Sequence, residues 1–126
     1  MIKNVQVDSV NYRIEEVDTP IIIEHKEYGG GGFYNDALIK VGNFLKGDAK
    51  IKVLMHEIIH AILFERGMPE ASEDEILVEE LAKSFINLIR SNSNLIAFIT
   101  NGVDENGRVS LCVGGDDTDR DRIAVI

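Results

Sequence analysis

The chain has 126 residues, 44% of them hydrophobic, and a formal net charge of −9, values typical of a single domain, here taken as 1–126, with one core. This acidity makes a nucleic-acid partner unexpected, and the single cysteine excludes an internal disulfide. No segment approaches the roughly 20 apolar residues that span a bilayer, and the N-terminus lacks a signal-peptide pattern, so we expect no membrane partner and a cytoplasmic location.

Residues 1–45 are predicted to be mostly strands. Val5–Val17 is rich in β-branched residues and partly alternates between apolar and polar positions. Ile21–Ile23 is a short apolar run with Pro20 at its entry, and Ala37–Val41 has the composition of a further strand.

Four consecutive glycines, Gly29–Gly32, precede that last strand. A phosphate-binding loop would need a helix immediately afterwards, and none is predicted there. We therefore interpret the glycine run as a flexible hairpin connection.

Two long helices are predicted in the middle of the chain. The first covers 48–66, with Asp48 as its N-cap and with Gly67 and Pro69 as stop signals. The second covers 72–91 and opens on Ser72-Glu73-Asp74-Glu75, which fits a capping box with Ser72 as N-cap and Glu75 at the third helical position.

The remaining residues are predicted to form smaller elements. Asn94–Thr100 has the pattern of a short helix that ends at Asn101-Gly102. The segment 102–126 is interpreted as a C-terminal strand, at Arg108–Val113, followed by a tail. Strands followed by helices predict an α+β fold.

The first long helix contains His56-Glu57-Ile58-Ile59-His60, an H-E-x-x-H motif. Residues four apart lie on one helix face, so His56 and His60 can bind one zinc ion. Glu57 lies beside that pair, where it can act as general base towards a metal-activated water. The alternative is an amphipathic helix whose histidines are hydrogen-bonded by ordinary neighbours.

A hydrolytic zinc site needs a third protein ligand, and the second long helix offers four glutamates. Glu79 lies about 100° from the centre of the apolar face, at its edge, whereas Glu80 lies about 160° away, towards solvent. Glu75 is also near the edge but is assigned to the cap, and Glu73 suits the helix dipole. We predict Glu79 as third ligand, with Glu75 second and Glu80 third.

The motif and the later VEELAKSF resemble zincin-type metallopeptidases of the gluzincin kind. More narrowly they resemble the small H-E-x-x-H proteins of phages and prophages, relatives of the ImmA/IrrE-like peptidases and of minigluzincins. In that group the second helix has a Glu-x-x-Ala pattern, which Glu79–Ala82 matches. The chain departs from many ImmA-type relatives at Lys83, where they often have Asn.

The resemblance implies a zincin-like fold, in which a small antiparallel or mixed sheet packs on the active-site helix and on a glutamate-bearing helix. It implies one zinc ion per chain, held by His56, His60 and Glu79, and hydrolysis of a peptide or protein substrate with Glu57 as general base. If the protein is phage-encoded, its location is the host cytoplasm. The edge strand that would hold an extended substrate is expected at Ala37, Leu38, Ile39, Lys40 and Val41.

Several assignments stay open. Tyr28 and Tyr34 flank the glycine run and are candidate donors to the oxyanion, although ordinary loop aromatics are the preferred interpretation. The apolar end Ile123–Ile126 is a candidate inhibitory segment. The alternative functions are a zinc-binding phage interaction or regulatory protein without proteolytic activity, and an α+β domain that binds no metal. The sequence specifies no oligomeric state.

Overall fold

The structure is a computed structural model that describes residues 1–23 and 26–102. Within these residues the strands are β1 (Asn4–Val7), β2 (Val10–Val17), β3 (Ile21–Ile23), β4 (Lys26–Tyr28), β5 (Gly30–Phe33) and β6 (Leu38–Gly42). The helices in the same part of the chain are α1 (Asp48–Glu65), α2 (Pro69–Glu73), α3 (Glu75–Ser91) and α4 (Ser93–Asn101). The α+β class is therefore confirmed.

Four strands form a mixed sheet in the order β1-β2-β6-β5. β2 pairs with β1 antiparallel and with β6 parallel, and β5 pairs with β6 antiparallel, with Gly30 opposite Val41 and Phe33 opposite Leu38. β3 and β4 form a separate two-stranded ribbon. The predicted strands at Val5–Val17, Ile21–Ile23 and Ala37–Val41 all exist, the first as the hairpin of β1 and β2.

Alternation along the strands places one apolar face of the sheet against α1. Tyr12 and Ile14 on β2 and Ile39 and Val41 on β6 are buried and form a cluster with Ala61 of α1. The hydroxyl of Tyr12 reaches the same helix, where it donates to Glu65 Oε2 at 2.5 Å. The sheet therefore holds α1 in a fixed position.

The opposite side of α1 packs on α3. Ile59 is buried with Val78 and Ala82 in a second apolar cluster. α1 is consequently covered on two sides, which explains why its apolar residues surround the helix instead of forming one stripe. The motif residues lie between those two contacts.

The starts of both long helices differ from the prediction. Asp48 is the first residue of α1 and Gly47 is at the N-cap, so the prediction that Asp48 is the N-cap is wrong. Residues Pro69–Glu73 form the separate helix α2, which has proline in its first turn, and α3 begins only at Glu75. Asp74 caps α3, since its Oδ1 accepts a hydrogen bond from the backbone N–H of Leu77 at 3.1 Å. The prediction that Ser72 is the N-cap is therefore wrong, because Ser72 is buried inside α2.

The chain divides into two compact units, Met1–Ser84 and Phe85–Ile126, so the predicted single domain over 1–126 stays a prediction. All the site residues discussed below belong to the first unit. In the second, α4 confirms the short helix predicted at Asn94–Thr100. The predicted C-terminal strand and tail lie outside the described residues. Among the helices that the structure describes, none has the length and hydrophobicity to cross a membrane.

Candidate metal centre

α1 brings the two histidines of the motif together on one face, as the four-residue spacing predicts. The Nε2 atoms of His56 and His60 lie 3.1 Å apart, and the ring planes are inclined at 67°. His60 is buried, whereas His56 is partly exposed towards the cleft described below. The two Nε2 atoms therefore face a common point that is open to solvent on one side.

Glu75, the first residue of α3, completes this group. Its Oε2 lies 3.1 Å from His56 Nε2, and its Oε1 lies 3.0 Å from His60 Nε2. Ligand atoms at the corners of a tetrahedral zinc site with bonds of 2.0–2.1 Å are separated by about 3.3 Å. The donor set of two imidazoles and one carboxylate therefore fits zinc in both chemistry and spacing.

Glu79, the predicted third ligand, lies on the other side of the His56 ring. Its Oε1 is 3.4 Å from His56 Nδ1, so it faces the nitrogen that points away from the common point. Glu80 forms an exposed ion pair with Lys83 at 3.0 Å. The geometry therefore favours Glu75, our second choice, as the third ligand and gives Glu79 the position of an outer partner that orients His56.

The reason for this change is the boundary of the helix. Glu75 was set aside because a capping box would have engaged its carboxylate at the third helical position. With Asp74 as cap, Glu75 is instead the first residue of α3, and its side chain is free of that role. One signal in the sequence could have revealed this, since Pro69 is typical of the first turn of a helix that begins before Ser72.

Ser72 is a site residue that the sequence analysis missed. Its backbone carbonyl oxygen accepts a hydrogen bond from His60 Nδ1 at 2.5 Å, and its hydroxyl donates to the His60 carbonyl oxygen at 3.0 Å. Since a carbonyl oxygen can only accept, Nδ1 of His60 carries a proton, and in the neutral ring Nε2 is then the nitrogen with the free lone pair. α2 thus orients the second histidine from behind.

The resulting cluster consists of hydrogen-bond acceptors. Burial lowers the pKa of the His60 imidazole, which favours its neutral form. When Glu79 accepts from His56 Nδ1, the Nε2 atom of that ring also presents a lone pair. Two nitrogen lone pairs and two carboxylate oxygens then converge at about 3 Å, an arrangement that a cation at their centre stabilises.

Glu57 lies next to this group and is buried. Burial raises its pKa to about 7, the charge of Glu75 adds to the rise, and His56 opposes it. A carboxyl group with a pKa near neutrality can both accept and donate a proton at physiological pH. This is the property required of the predicted general base.

A cleft runs past the cluster along the strand β5. It consists of two cavities of about 350 and about 410 Å³, and both are lined by Gly30, His56 and Glu57. The second cavity is also lined by Tyr28 and Tyr34, the two tyrosines singled out in the sequence. The Tyr34 ring stacks on Phe64 with the ring centroids 4.9 Å apart, which holds it at the cleft.

The strand along the cleft is β5, which contains three of the four glycines and Phe33, and not β6. β6 has β2 on one side and β5 on the other, so the expectation that Ala37–Val41 is an edge strand is wrong. The interpretation of Gly29–Gly32 as a flexible connection is also wrong, because Gly30–Phe33 is a strand. Among the described residues, no strand pairs with the outer edge of β5.

The pairing of β5 shows which backbone groups point to that outer edge. The N–H of Gly42 donates to the Gly29 carbonyl oxygen at 2.7 Å, which marks Gly29 and Gly42 as a hydrogen-bonded pair. Hydrogen-bonded pairs alternate along an antiparallel ladder, so Gly31 bonds to β6, whereas Gly30 and Gly32 direct their N–H and C=O groups outwards.

Absence of a side chain at Gly30 is what lets β5 approach the motif helix. A Cβ there would lie 2.5 Å from Val53 Cγ1 and 3.4 Å from Glu57 Cγ. At Gly31, by contrast, the nearest atoms would be at 3.6 Å, an ordinary contact distance. Gly30 therefore allows the strand to pack closely on the site.

The predicted inhibitory segment Ile123–Ile126 lies outside the described residues.

Comparisons of this chain with protein-family models, with curated proteins and with solved structures find no match.

Proposed function

We propose that this protein is a zinc-dependent peptidase with a zincin-like site, in which His56, His60 and Glu75 hold one zinc ion. The observation that supports this most directly is the convergence of their acceptor atoms at about 3 Å beside the buried Glu57. Zinc bound there supplies a Lewis acid that polarises a peptide carbonyl group and lowers the pKa of a water molecule.

Glu57 provides the proton transfers in this proposal. Its carboxylate accepts a proton from the attacking water and later gives it to the leaving amine. In the metal-free fold, burial raises the pKa of this carboxyl group to about 7, so the surroundings of Glu57 favour proton uptake near neutral pH. The burial that causes this pKa also limits access of bulk water to the carboxyl group.

The chain's own groups also position the peptide. The outward N–H and C=O groups of Gly30 and Gly32 can pair with an extended peptide by strand addition. This gives β5 the role that the sequence analysis assigned to Ala37–Val41. Glu79 and the Ser72 carbonyl oxygen act as positioning groups, because each accepts from the Nδ1 atom of one histidine.

Replacing Glu57 by Gln tests the proposal, because the amide keeps the shape of the side chain but cannot act as a base. The zinc-loaded protein and its Glu57→Gln variant are incubated with a defined pool of synthetic peptides, and cleavage is followed by mass spectrometry. We expect the variant to retain zinc at wild-type stoichiometry and to lose at least about 100-fold in cleavage rate.

A matched control is Glu70→Gln on α2, an exposed residue outside the cleft, for which cleavage should stay at the wild-type rate. Equal cleavage by wild type and Glu57→Gln would refute the assigned role of this residue. Retention of zinc without cleavage of any peptide by the wild type would instead support a zinc-binding interaction protein.

A further inference from the structure

The two ends of the cleft differ in charge. The end at Gly29 and Gly30 is lined by two lysines, Lys52 and Lys83. The end at Gly32 is lined by aromatic and acidic side chains, among them Tyr28 and Glu73. In a protein with a net charge of −9, two ammonium groups beside the candidate site form a local exception to the acidic surface.

Helix periodicity places both lysines beside the metal centre. Lys52 precedes His56 by four residues on α1, and Lys83 follows Glu79 by four residues on α3. Residues four apart share a helix face and are separated by about one turn, or 5.4 Å along the axis. Each lysine thus lies one helical turn beyond a site residue, on the same face of its helix and beside this cavity.

The charges around these lysines leave them available to a ligand. Lys83 pairs with Glu80 at 3.0 Å, but the two side chains are 52% and 67% exposed, so the pair is weak. For Lys52, the structure gives no ion pair with any carboxylate whose side chain it describes, a set that leaves out Glu24 and Glu27 and everything beyond residue 102. Glu79 also lines this end, but its carboxylate faces His56 Nδ1.

We propose that this end of the cleft binds a carboxylate of the peptide substrate, with Lys52 and Lys83 as the binding cations. The carboxylate belongs either to an Asp or Glu side chain or to the C-terminus of the peptide. The proposal rests on the proposed function, which places the peptide along β5.

The direction of β5 indicates on which side of the bond to be cleaved the bound carboxylate lies. β5 runs from the lysine end, at Gly30, towards Gly32 and the tyrosines. A peptide that pairs with it antiparallel runs the opposite way, so its C-terminal residues lie at the lysine end. The bound carboxylate then lies on the C-terminal side of the bond to be cleaved.

Peptide binding tests this inference without requiring turnover. The protein is the zinc-loaded full chain with Glu57→Gln, and the probes are four fluorescein-labelled hexapeptides. They carry Glu or Gln at the fifth position, each with a free or an amidated C-terminus, and Kd is measured by fluorescence anisotropy. We expect at least one carboxylate-bearing peptide to bind about tenfold more tightly than the neutral amidated peptide.

Charge-removing variants then assign the preference to the two lysines. Adding Lys52→Gln and Lys83→Gln together should abolish the tenfold difference and leave Kd for the neutral amidated peptide unchanged. Lys46→Gln, an exposed lysine that does not line the cavity, should retain the preference. Comparison of the Glu amide with the Gln free acid shows whether a side chain or the C-terminus supplies the carboxylate.

The inference is overturned if the four peptides bind equally, if none of them binds, or if the preference survives in the double variant. Its failure is separable from failure of the proposed function. Cleavage of peptides without any carboxylate preference removes this inference alone. A lysine-dependent preference in a protein that cleaves nothing removes the peptidase and leaves the binding site.

Discussion

At the residue scale, two imidazoles and two carboxylates of the site have different roles. The four residues are His56, His60, Glu75 and Glu79. His60 and Glu75 point their acceptor atoms at the common centre, whereas Glu79 contacts the back of His56. Glu75 and Glu79 are four residues apart on α3, so one helix face supplies both the proposed ligand and its proposed outer partner. The two carboxylates contact different nitrogens of His56, Glu75 at Nε2 and Glu79 at Nδ1.

Conservative variants of the two glutamates should therefore differ in their effect on zinc affinity. Glu75→Gln removes the charge of the proposed ligand and should weaken zinc binding by more than 100-fold, whereas Glu79→Gln should weaken it by roughly 10- to 100-fold, the range for outer partners. Competition with a chromophoric chelator measures both constants. Glu80→Gln is the control and should bind zinc as the wild type does. A larger loss for Glu79→Gln than for Glu75→Gln would restore Glu79 as the ligand.

At the element scale, close approach of β5 to α1 determines the width of the cleft. The contact at Gly30 leaves no room for a methyl group, because Val53 Cγ1 occupies that position. On the other face of the same strand, a Cβ added at Gly31 would meet Ile21 at 3.6 Å, an ordinary contact distance. A methyl group thus fits at Gly31 but not at Gly30. The difference in stability between alanine variants at these two positions therefore measures how closely β5 packs against α1.

Gly30→Ala should lower the free energy of unfolding by about 1–3 kcal/mol, the usual cost of an extra methyl group in a packed contact. Gly31→Ala is the matched control and should change stability by less than about 1 kcal/mol. Urea denaturation of both variants supplies the comparison, and Val53→Ala in the Gly30→Ala background should recover part of the loss. Equal stability of the two single variants would contradict the packing described for β5.

At the scale of the whole molecule, the site is assembled from segments that lie far apart in the chain. β5, α1, α2 and the first turn of α3 each contribute a group, and the sheet and the two apolar clusters hold them together. This assembly buries the carboxyl group of Glu57, and burial of its charged form lowers the stability of the fold. That effect makes the stability of the metal-free fold depend on pH.

The sign follows from proton uptake. The pKa of Glu57 is about 7 in the folded chain, and the ordinary value of 4.5 applies to the unfolded chain. Between pH 4.5 and about pH 7 the folded state therefore binds more protons than the unfolded state. Stability contributed by this group therefore falls as pH rises from about 4.5 to about 7, by about 3 kcal/mol in total, and is constant above that window. Glu57→Gln removes the part of the pH dependence that Glu57 contributes.

Denaturation of metal-free wild type and Glu57→Gln, in the presence of a chelator and at intervals from pH 4 to 8, measures this effect. The stability of the variant relative to the wild type should increase through the window. For Glu70→Gln the difference from the wild type should stay flat. Parallel pH profiles for Glu57→Gln and wild type would show that the environment of Glu57 does not favour its protonated form.

The sequence alone was sufficient for the features that depend on local spacing. His56, Glu57 and His60 are placed by helix periodicity, and the ends of α1 and α4 follow from nearby glycines, so the motif and most element positions were predicted correctly. The tertiary structure decided between Glu75 and Glu79, because the two carboxylates, one helical turn apart on α3, meet different nitrogens of His56. Likewise, four glycines have no local preference for a strand, and β5 exists because β6 and α1 offer a ladder and a contact surface that accept a backbone without side chains.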